Sequence, residues 1–398
     1  MLCVFDKFTP KDKFYTNGER FLFPQRCETV EELNGDWSLT MEYIMNDKDD
    51  AWKCLVPFNI IKTDSGQLFP IYSVKKKLNS NGLPVLSVKA RHIFYYLNDK
   101  IARHVDIDKY SAYWAISKIF DNIMWGYGEG LTDYEFEFNS NIPDDKLRTA
   151  HFDGESVVYM LLGSPESIVN IYNGELYRHN FYFSINDRME GCQDNAFNLV
   201  HGWNLTEISE EVDYSEYITE LEAEDNFGQF LQVSRVPDGS FPHQVKKYLK
   251  LSYSTEEEAK NFRTPYGIDE VKDYDTDIYY KEHRDPIVTY EINFQDLRNT
   301  NKAADWQDVE RLHVGDSGRI YSEMLGISTT QKIISRTVDE ITGRVKSVKL
   351  GNFKPSALHT SRFDKMENED DSNARRLDFF ESKFQYIPDE EEEEDEEE

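Results

Sequence analysis

The sequence is poor in cysteine and has no long apolar run. Its four cysteines lie far apart and form no CxxC pair; they are Cys3, Cys27, Cys54 and Cys192. This spacing is typical of reduced, mostly buried thiols and argues against a disulfide framework or a zinc site. The best apolar run, Val157 to Leu162, is far shorter than the roughly 18 residues that span a membrane. Asp6 and Lys7 interrupt the N-terminus, so the sequence predicts neither a secretory signal nor a membrane anchor.

Basic residues are also scarce. The 398 residues carry 45 Lys and Arg against 75 Asp and Glu, a formal net charge of −30. Residues 389–398 are all acidic, and without these ten the rest of the chain still carries −20. Such a field repels phosphate backbones and anionic lipids, which excludes nonspecific nucleic-acid binding. Because like charges repel one another, the acidic tail is expected to be disordered in the free protein.

Histidine clusters and a complete calcium loop are missing as well. The nine histidines form no HxH or HxxxH pair, so no metal site is predicted. Asp273, Asp275 and Asp277 have the spacing that opens a calcium loop, but Ile278 stands where that loop needs glycine and Arg284 where it needs glutamate. An EF-hand is thereby excluded. A solvated acidic loop is the better interpretation, with weak cation binding left open.

Two glycine-rich segments share letters with functional motifs but lack their context. Residues 315–318 (GDSG) are similar to the nucleophile segment of trypsin-like proteases, yet no positioned histidine base accompanies them. They predict a turn between Leu312 and Ile320. Residues 126–130 (GYGEG) follow a predicted helix and lack a lysine, so they predict a connector and not a phosphate cradle. The sequence therefore predicts no catalytic, cofactor-binding or metal-binding residues, no cofactor, and no enzyme.

Aromatic side chains are abundant, with 25 Phe, 24 Tyr and 6 Trp. So many bulky apolar groups indicate packed cores, and at about 150 residues per domain the chain predicts two to four domains. No internal repeat is visible in the sequence.

Strand and helix patterns alternate along the chain. Runs of β character bounded by turn residues predict strands at 39–43, 55–61, 68–74, 85–96, 133–138, 180–186, 195–203 and 286–294. Helices are predicted from Ser111 to Gly126, at 156–162 and from a capping Ser164 to Asn173. Residues 309–350 predict a hairpin that turns at 341–344, and residues 237–283 predict loops around a short helix. From about residue 102 to 177 the predicted elements are a mixture of helices and strands, with predicted strands on both sides. This arrangement indicates an inserted domain.

Several segments in order resemble the N-terminal module of phage minor structural proteins, the tail-tip hub or tail-associated lysin family of siphophages that infect Gram-positive bacteria. The most specific match is 88–97 (VKARHIFYYL), and 32–43 (ELNGDWSLTMEY) is similar to the opening strand pair of that family. Further similarities lie at 172–177 (YNGELY), Gly191, 202–205 (GWNL), 285–297 (DPIVTYEINFQDL), 314–318 (VGDSG) and 348–351 (VKLG). The similarity spans about residues 32 to 351 and leaves 227–283 poorly matched.

This resemblance implies a β-rich α+β, multidomain fold like the hub of contractile-phage baseplates, with two related β-barrel domains and an inserted α/β domain. The predicted boundaries are 1–101 for the first β-barrel domain, continued by 178–236, and 102–177 for the inserted α/β domain. They continue with 237–285 for a loop-rich smaller domain and 286–354 for the second β-barrel domain. A C-terminal segment at 355–388 and the acidic tail at 389–398 complete the division.

The resemblance also implies a function. It predicts a virion structural protein, made in the host bacterial cytoplasm, that forms a homotrimeric hub at the distal tail tip or baseplate. The hub closes the tail tube, docks on the hexameric distal tail protein and opens for DNA ejection during host attachment, with DNA passing through without specific binding. Receptor-binding proteins and the tape-measure protein are further candidate partners. The chain is similar to short lactococcal-type hubs without a lysin domain. A tail-associated cell-wall hydrolase and a carbohydrate-binding adhesin are the alternatives.

Overall fold

A computed structural model describes residues 1–46, 50–79, 82–124, 134–164, 166–202, 205, 207–215, 217–225, 227–228, 230–234, 244–251, 285–293 and 312–351. Strands dominate this part of the chain, and the predicted β-rich α+β fold class is confirmed. Among the described residues no helix is both long and apolar enough to cross a membrane.

The first β unit contains seven strands. They are β1 (Cys3–Phe5), β2 (Arg20–Phe21), β3 (Arg26–Glu32), β4 (Trp37–Ile44), β5 (Ile60–Lys62), β6 (Leu68–Leu78) and β7 (Pro84–Arg91), with short 3-10 helices at Lys11–Lys13 and Ala51–Cys54. All neighbours are antiparallel, in the order β2-β1-β5-β6-β7-β4-β3. Leu39, Met41 and Tyr43 alternate with polar residues along β4, which is typical of a strand with one buried face. Val4 of β1 and Cys27 of β3 share one core, so the sheet curls round on itself.

An α/β unit follows. It contains a 3-10 helix (Ile93–Asp99), β8 (His104–Tyr110), α1 (Ala112–Asp121), β9 (Glu137–Asn139), β10 (Arg148–Asp153), a π-helical turn (Tyr159–Gly163), α2 (Ile168–Tyr172), β11 (Glu175–His179) and β12 (Tyr182–Asn186). β8 pairs with β10, and β12 lies between β11 and β9. The two sheets and the helices enclose a separate apolar core that extends from Phe94 to Ile185.

The second β unit completes the described chain. Its strands are β13 (Phe197–Val200), β14 (Glu207–Asp213), β18 (Ile287–Asn293), β19 (Ser317–Ser322), β20 (Ile327–Asp339) and β21 (Arg344–Gly351). Between β14 and β18 the chain forms a small separate sheet of β15 (Glu220–Asp225), β16 (Phe230–Ser234) and β17 (Lys246–Leu251). Leu199, Ile292, Ile320 and Leu350 lie in the core of the second unit.

The two β units repeat one strand order. The first reads β1-β5-β6-β7-β4-β3 across the sheet, and the second reads β13-β19-β20-β21-β18-β14. With β2 left out, which has no counterpart among the described strands of the second unit, these orders are the same when the strands are ranked along the chain. They differ in direction at one place, since β1 is antiparallel to its neighbour and β13 is parallel. The longest strand of each unit is bulged at the same place, between Ile71 and Ser73 in β6 and between Ile333 and Ser335 in β20. The related domains implied by the family resemblance therefore have a counterpart in topology.

Strand pairing places residues 178–236 differently from the predicted continuation of the first β-barrel domain. β11 and β12 pack in the α/β core, β13 and β14 pair with β19 and β18, and β15 and β16 pair with each other beside β17. The α/β unit is therefore not inserted into the first β unit but lies between the two β units along the chain. The remaining predicted boundaries stay predictions, and residues 355–388 and 389–398 lie outside the described part.

Several predicted elements end earlier or differ in type. The strand predicted over 85–96 ends at Arg91, because the His92 imidazole accepts the Phe94 N–H and starts a 3-10 helix. The helix predicted from Ser111 to Gly126 ends at Asp121. The helix predicted at 156–162 is a π-helical turn, and that predicted from Ser164 begins only after Ser167.

Other elements are confirmed or replaced. The helix end at Asn173 is confirmed, with the left-handed φ of 49° that asparagine tolerates. The hairpin turning at 341–344 is also confirmed. In the stretch predicted as loops around a short helix, the described residues form the strand β17.

Candidate functional site

The GDSG segment is a structural turn in the second β unit. The buried Asp316 carboxylate accepts the backbone N–H groups of Gln193 and His313, each at 2.8 Å. The Ser317 hydroxyl donates to Asp194 Oδ1 at 2.7 Å, so its partner is a carboxylate and not an imidazole. Gly315 has φ 90°, and a Cβ there would lie 2.4 Å from Cys192 Sγ. The predicted turn is present, and its side chains fasten the loop before β13 to the strand β19.

The other sequence motifs fall outside the part of the chain that the structure describes. Asp273, Asp275 and Asp277 lie outside the described residues, as does the segment 126–130. Within the part of the chain that the structure describes, no three His, Cys, Asp or Glu side chains are placed to hold a metal ion. Contacts between units and the edges of sheets are further features of this part of the chain.

One set of contacts, here called the junction, joins the first β unit to the α/β unit through Arg178. This side chain is 3% exposed, and its guanidinium donates to the carbonyls of Gly35 (2.6 Å) and Glu32 (2.9 Å) and to the Tyr95 hydroxyl (2.9 Å). It also lies 5.5 Å from the ring centroid of Trp37, a distance at which a cation is attracted to the ring face. A buried guanidinium with these partners fixes the β3–β4 turn against β11.

Asn34 makes the second contact of the junction. It adopts φ 48° in the turn, which directs its amide away from the first β unit. Its Oδ1 accepts the Leu176 N–H at 2.6 Å, and its Nδ2 donates to the Gly174 carbonyl at 2.8 Å. The Asn34 amide thus hydrogen-bonds to the backbone of the α/β unit through both its oxygen and its nitrogen. A side chain without an amide could make only one of these two hydrogen bonds.

His92 lies behind the junction and is held neutral. Its Nε2 is 3.0 Å from Gln67 Oε1, and its ring stacks on Trp37 with centroids 4.4 Å apart. Burial, followed by the nearby Arg178 charge, holds the pKa of His92 well below its ordinary value. The segments 32–43 and 88–97, which carry the family resemblance, therefore meet here as packing and hydrogen-bonding partners.

A second set of contacts, the seam, joins the two β units directly. β20 pairs antiparallel with β3 from Ser335 opposite Glu32 to Asp339 opposite Glu28, which makes one continuous sheet of 13 strands. Hydrogen bonds from the Leu33 N–H to the Ile334 carbonyl (2.8 Å) and from the Glu340 N–H to the Cys27 carbonyl (2.9 Å) extend it at both ends. No sequence pattern predicted this pairing, because strand partners distant in the chain leave no local signal.

Ion pairs cross the seam. Arg336 contacts Glu31 at 3.2 Å, and Glu28 contacts both Arg26 (2.7 Å) and Lys346 (2.5 Å). These partners, Arg26 first, hold the pKa of Glu28 below its ordinary value. Burial instead raises the pKa of Glu340, whose carboxylate accepts the Thr29 hydroxyl at 2.6 Å. Arg336 and Lys346 of the second unit thus each pair with a glutamate of β3, and Arg26 of β3 itself adds a third cation.

Among the strand edges that lack a neighbouring strand within the described chain, two in the large sheet carry charge of one sign. One, here called the acidic edge, is β14 (Glu207–Asp213), which reads EISEEVD and pairs only with β18. The other, the basic edge, is the second half of β6, residues 73–78 (SVKKKL), where β5 has ended and only β7 is paired. Open edges of this kind are templates for pairing with another chain. The structure thus offers two edges of opposite charge.

Comparison with known proteins supports a phage-tail fold. Residues 193–361 match a family model described as prophage endopeptidase tail. A prophage tail protein of Listeria monocytogenes is 14% identical, with 90% of this chain and 97% of that one covered and a TM-score of 0.58. A tail protein of Neisseria meningitidis is 10% identical, with 90% and 98% covered and a TM-score of 0.56.

A 43 kDa tail protein of prophage MuSo2 from Shewanella oneidensis is 12% identical, with 86% of this chain and 97% of that one covered and a TM-score of 0.55. No curated protein sequence matches the chain. At these identities the likeness shows the fold. The chain has the fold of prophage tail proteins, and the predicted resemblance to the phage tail-associated family is confirmed.

Proposed function

We propose that the protein is a structural component of the virion, a trimeric hub at the distal tip of a phage tail. In this role it closes the tail tube, docks on the hexameric distal tail protein and opens for DNA ejection. The observation that carries the proposal is the repeated strand order: each chain has two β units of the same topology, fused through the seam into one sheet. Three such chains would present six similar units to a sixfold partner.

The charge of the chain suits a channel for DNA. With a net charge of −30, the protein has few cations to hold phosphate groups, so DNA would pass without being retained. This part of the proposal requires that acidic side chains face the lumen. An electron cryomicroscopy map of the assembled tip with a lysine-lined lumen would contradict it.

The name of the matched family gives one specific reason to consider a cell-wall peptidase. Against it, the Ser317 hydroxyl is engaged by Asp194, and the His313 imidazole lies 3.8 Å from Asp316 Oδ2. Zymography on host cell walls tests this candidate, and no clearing is expected.

Mass in solution tests the hub itself. Multi-angle light scattering of the full chain should give three times 46.8 kDa, alone or after mixing with the purified distal tail protein, which should co-elute with it. A strict monomer that ignores the distal tail protein would overturn the proposal. Clearing of cell walls by that same monomer would favour the peptidase instead.

A further inference from the structure

We propose that copies of this chain join head to tail, the acidic edge of one copy pairing antiparallel with the basic edge of the next, so that the seam within each chain is repeated between chains. This inference rests on the proposed function in so far as it supposes a hub of identical copies. It names the two strands that make the contact and the register in which they pair.

The topological repeat makes the edges equivalent to the two sides of the seam. One row of directly paired residues crosses the first β unit: Thr29, Leu39, Ala90 and Ile71. The matching row crosses the second unit: Glu210, Tyr290, Leu350 and Ile333. Both rows end beside the shared bulge, so β14 corresponds to β3 and β6 corresponds to β20. The seam pairs β3 with β20. Their counterparts, β14 and β6, each keep the corresponding edge without a strand beside it in the described chain.

The rows also fix the register of the new contact. In the seam, residues 335–339 of β20 lie opposite residues 32–28 of β3. Transferring this alignment through the two rows places residues 73–77 opposite residues 213–209. The resulting pairs are Ser73 with Asp213, Val74 with Val212, Lys75 with Glu211, Lys76 with Glu210, and Lys77 with Ser209.

The side chains in this register are complementary. Two lysines stand opposite two glutamates and valine stands opposite valine, both favourable cross-strand pairs. A glutamate of β3, the counterpart of β14, also pairs with a cation of the opposite strand in the seam, where Glu31 contacts Arg336. Residues 209–213 and Lys75 to Lys77 are all exposed in the single chain, as expected of surfaces that await a partner.

The exposure of the residue beside each bulge also supports pairing along the basic edge. Ile334, which the β3 strand covers in the seam, is 7% exposed, whereas Tyr72 at the equivalent place in β6 is 54% exposed. A strand added along the basic edge would cover Tyr72 as β3 covers Ile334. The contact is heterologous, because one copy uses different edges towards its two neighbours. Two copies therefore leave one edge of each kind open, and a closed ring leaves none.

Charge reversal with rescue tests the contact. Lys75→Glu/Lys76→Glu and Glu210→Lys/Glu211→Lys should each weaken self-association by about tenfold or more, since two attractive pairs become repulsive at every interface. The chain carrying all four substitutions should recover the wild-type mass in light scattering. Rescue cannot come from a misfolded chain. If the chain with all four substitutions self-associates no more strongly than either double variant, the proposed register is wrong.

Disulfide cross-linking gives a second, independent test of the register. The hydrogen bonds at the ends of the seam make Asp339 opposite Glu28 a non-hydrogen-bonded pair, so Lys77 and Ser209 should have closely spaced side chains. Lys77→Cys/Ser209→Cys should cross-link into covalent oligomers on oxidation. Lys76→Cys/Ser209→Cys is the matched control, since its two thiols point to opposite faces of the sheet.

The outcomes separate this inference from the hub. A covalent ladder that stops at three copies supports both. A ladder that continues beyond three supports the edge pairing but not the trimer. A wild-type trimer in which neither the cysteine pair nor the charge reversals have an effect overturns the edge pairing and leaves the hub standing. A chain that stays monomeric and uncross-linked overturns both.

Discussion

The corresponding strands β3 and β14 have opposite surroundings in the two β units. In the first unit Glu28 and Glu31 of β3 are each 9% exposed, because β20 covers that edge. Arg336 of β20 pairs with Glu31, and Lys346 of β21 pairs with Glu28. In the second unit Glu210 and Glu211 of β14 are exposed, because no described strand lies beside them. Equivalent strands of one topology thus carry acidic residues that are buried in one unit and exposed in the other. The comparison teaches that burial at a sheet edge is set by the partner and not by the composition of the strand.

The two units are also held to the α/β unit with different strength. Arg178→Ala removes the donor to two buried carbonyls at the junction of the first unit, and we expect a loss of about 3 kcal/mol or more in the free energy of unfolding. On the side of the second unit Lys332 pairs with Glu175, which also accepts the Met189 N–H. Lys332→Ala should therefore cost only about 1 kcal/mol. Urea unfolding of both variants measures the difference, and equal losses would contradict it.

The acidic residues of the seam should respond to pH in opposite senses. The pKa of Glu28 is lowered in the folded chain, so its stabilisation is fully present above the ordinary pKa of 4.5 and is lost as pH falls through the lowered value. Glu28→Gln should destabilise the chain by about 1–2 kcal/mol at pH 7 and by less at pH 4. Glu211→Gln on the acidic edge is the control, with a change within about 0.5 kcal/mol at either pH.

Glu340 is the contrasting case. Its pKa is raised by burial, so the ionised form destabilises the folded chain above the raised value, and this penalty disappears as pH falls through that value towards 4.5. Glu340→Gln keeps an acceptor for the Thr29 hydroxyl and removes the buried charge. It should stabilise the chain at pH 7 by up to about 1 kcal/mol and should match the wild type at pH 4. Thermal unfolding at the two pH values checks it; a Glu340→Gln chain that is less stable at pH 7 would contradict the assignment.

The smallest expected difference in stability is between alanine substitutions in the two corresponding hairpin turns. Gly82 follows β6 with φ 73°, Gly343 follows β20 with φ 71°, and a Cβ at either would meet nothing within 4 Å. Alanine at each should cost the same, about 1 kcal/mol, from backbone conformation alone. Gly315→Ala should cost more, because φ is also positive there and Cys192 Sγ is in the way. Unequal costs at Gly82 and Gly343 would show that the two turns are not equivalent.

Local signals in the sequence located elements better than they located partners. The 341–344 turn and the helix end at Asn173 depend on residues close in the chain, and both are found. The membership of β13 and β14 in the second unit depends on pairing with strands far along the chain, as in Phe197 opposite Gly318 and Glu207 opposite Asn293. Secondary-structure propensity cannot reveal such partners. The π-helical turn at Tyr159–Gly163 shares its apolar spacing with an ordinary helix.

The candidate edges were within reach of the sequence. Residues 73–77 read SVKKK, and residues 213–209, taken backwards, read DVEES. Set side by side, these strings are complementary in charge. The pairing has no meaning, however, until the topology shows that both segments are unpaired edges of equivalent units, which is why the sequence alone left the interface open.

The connection that follows β3 in the first unit and β14 in the second differs between the units in a way that bears on engineering. In the first unit residues 33–36 join β3 to β4, and Asn34 and Gly35 of this short turn are engaged by the α/β unit. In the second unit the equivalent connection, 214–286, carries a whole additional sheet without altering the strand order. This place in the fold therefore accepts foreign sequence. An epitope or fluorescent module fused there, and not in the first turn, would label assembled tails while leaving the strands around it intact.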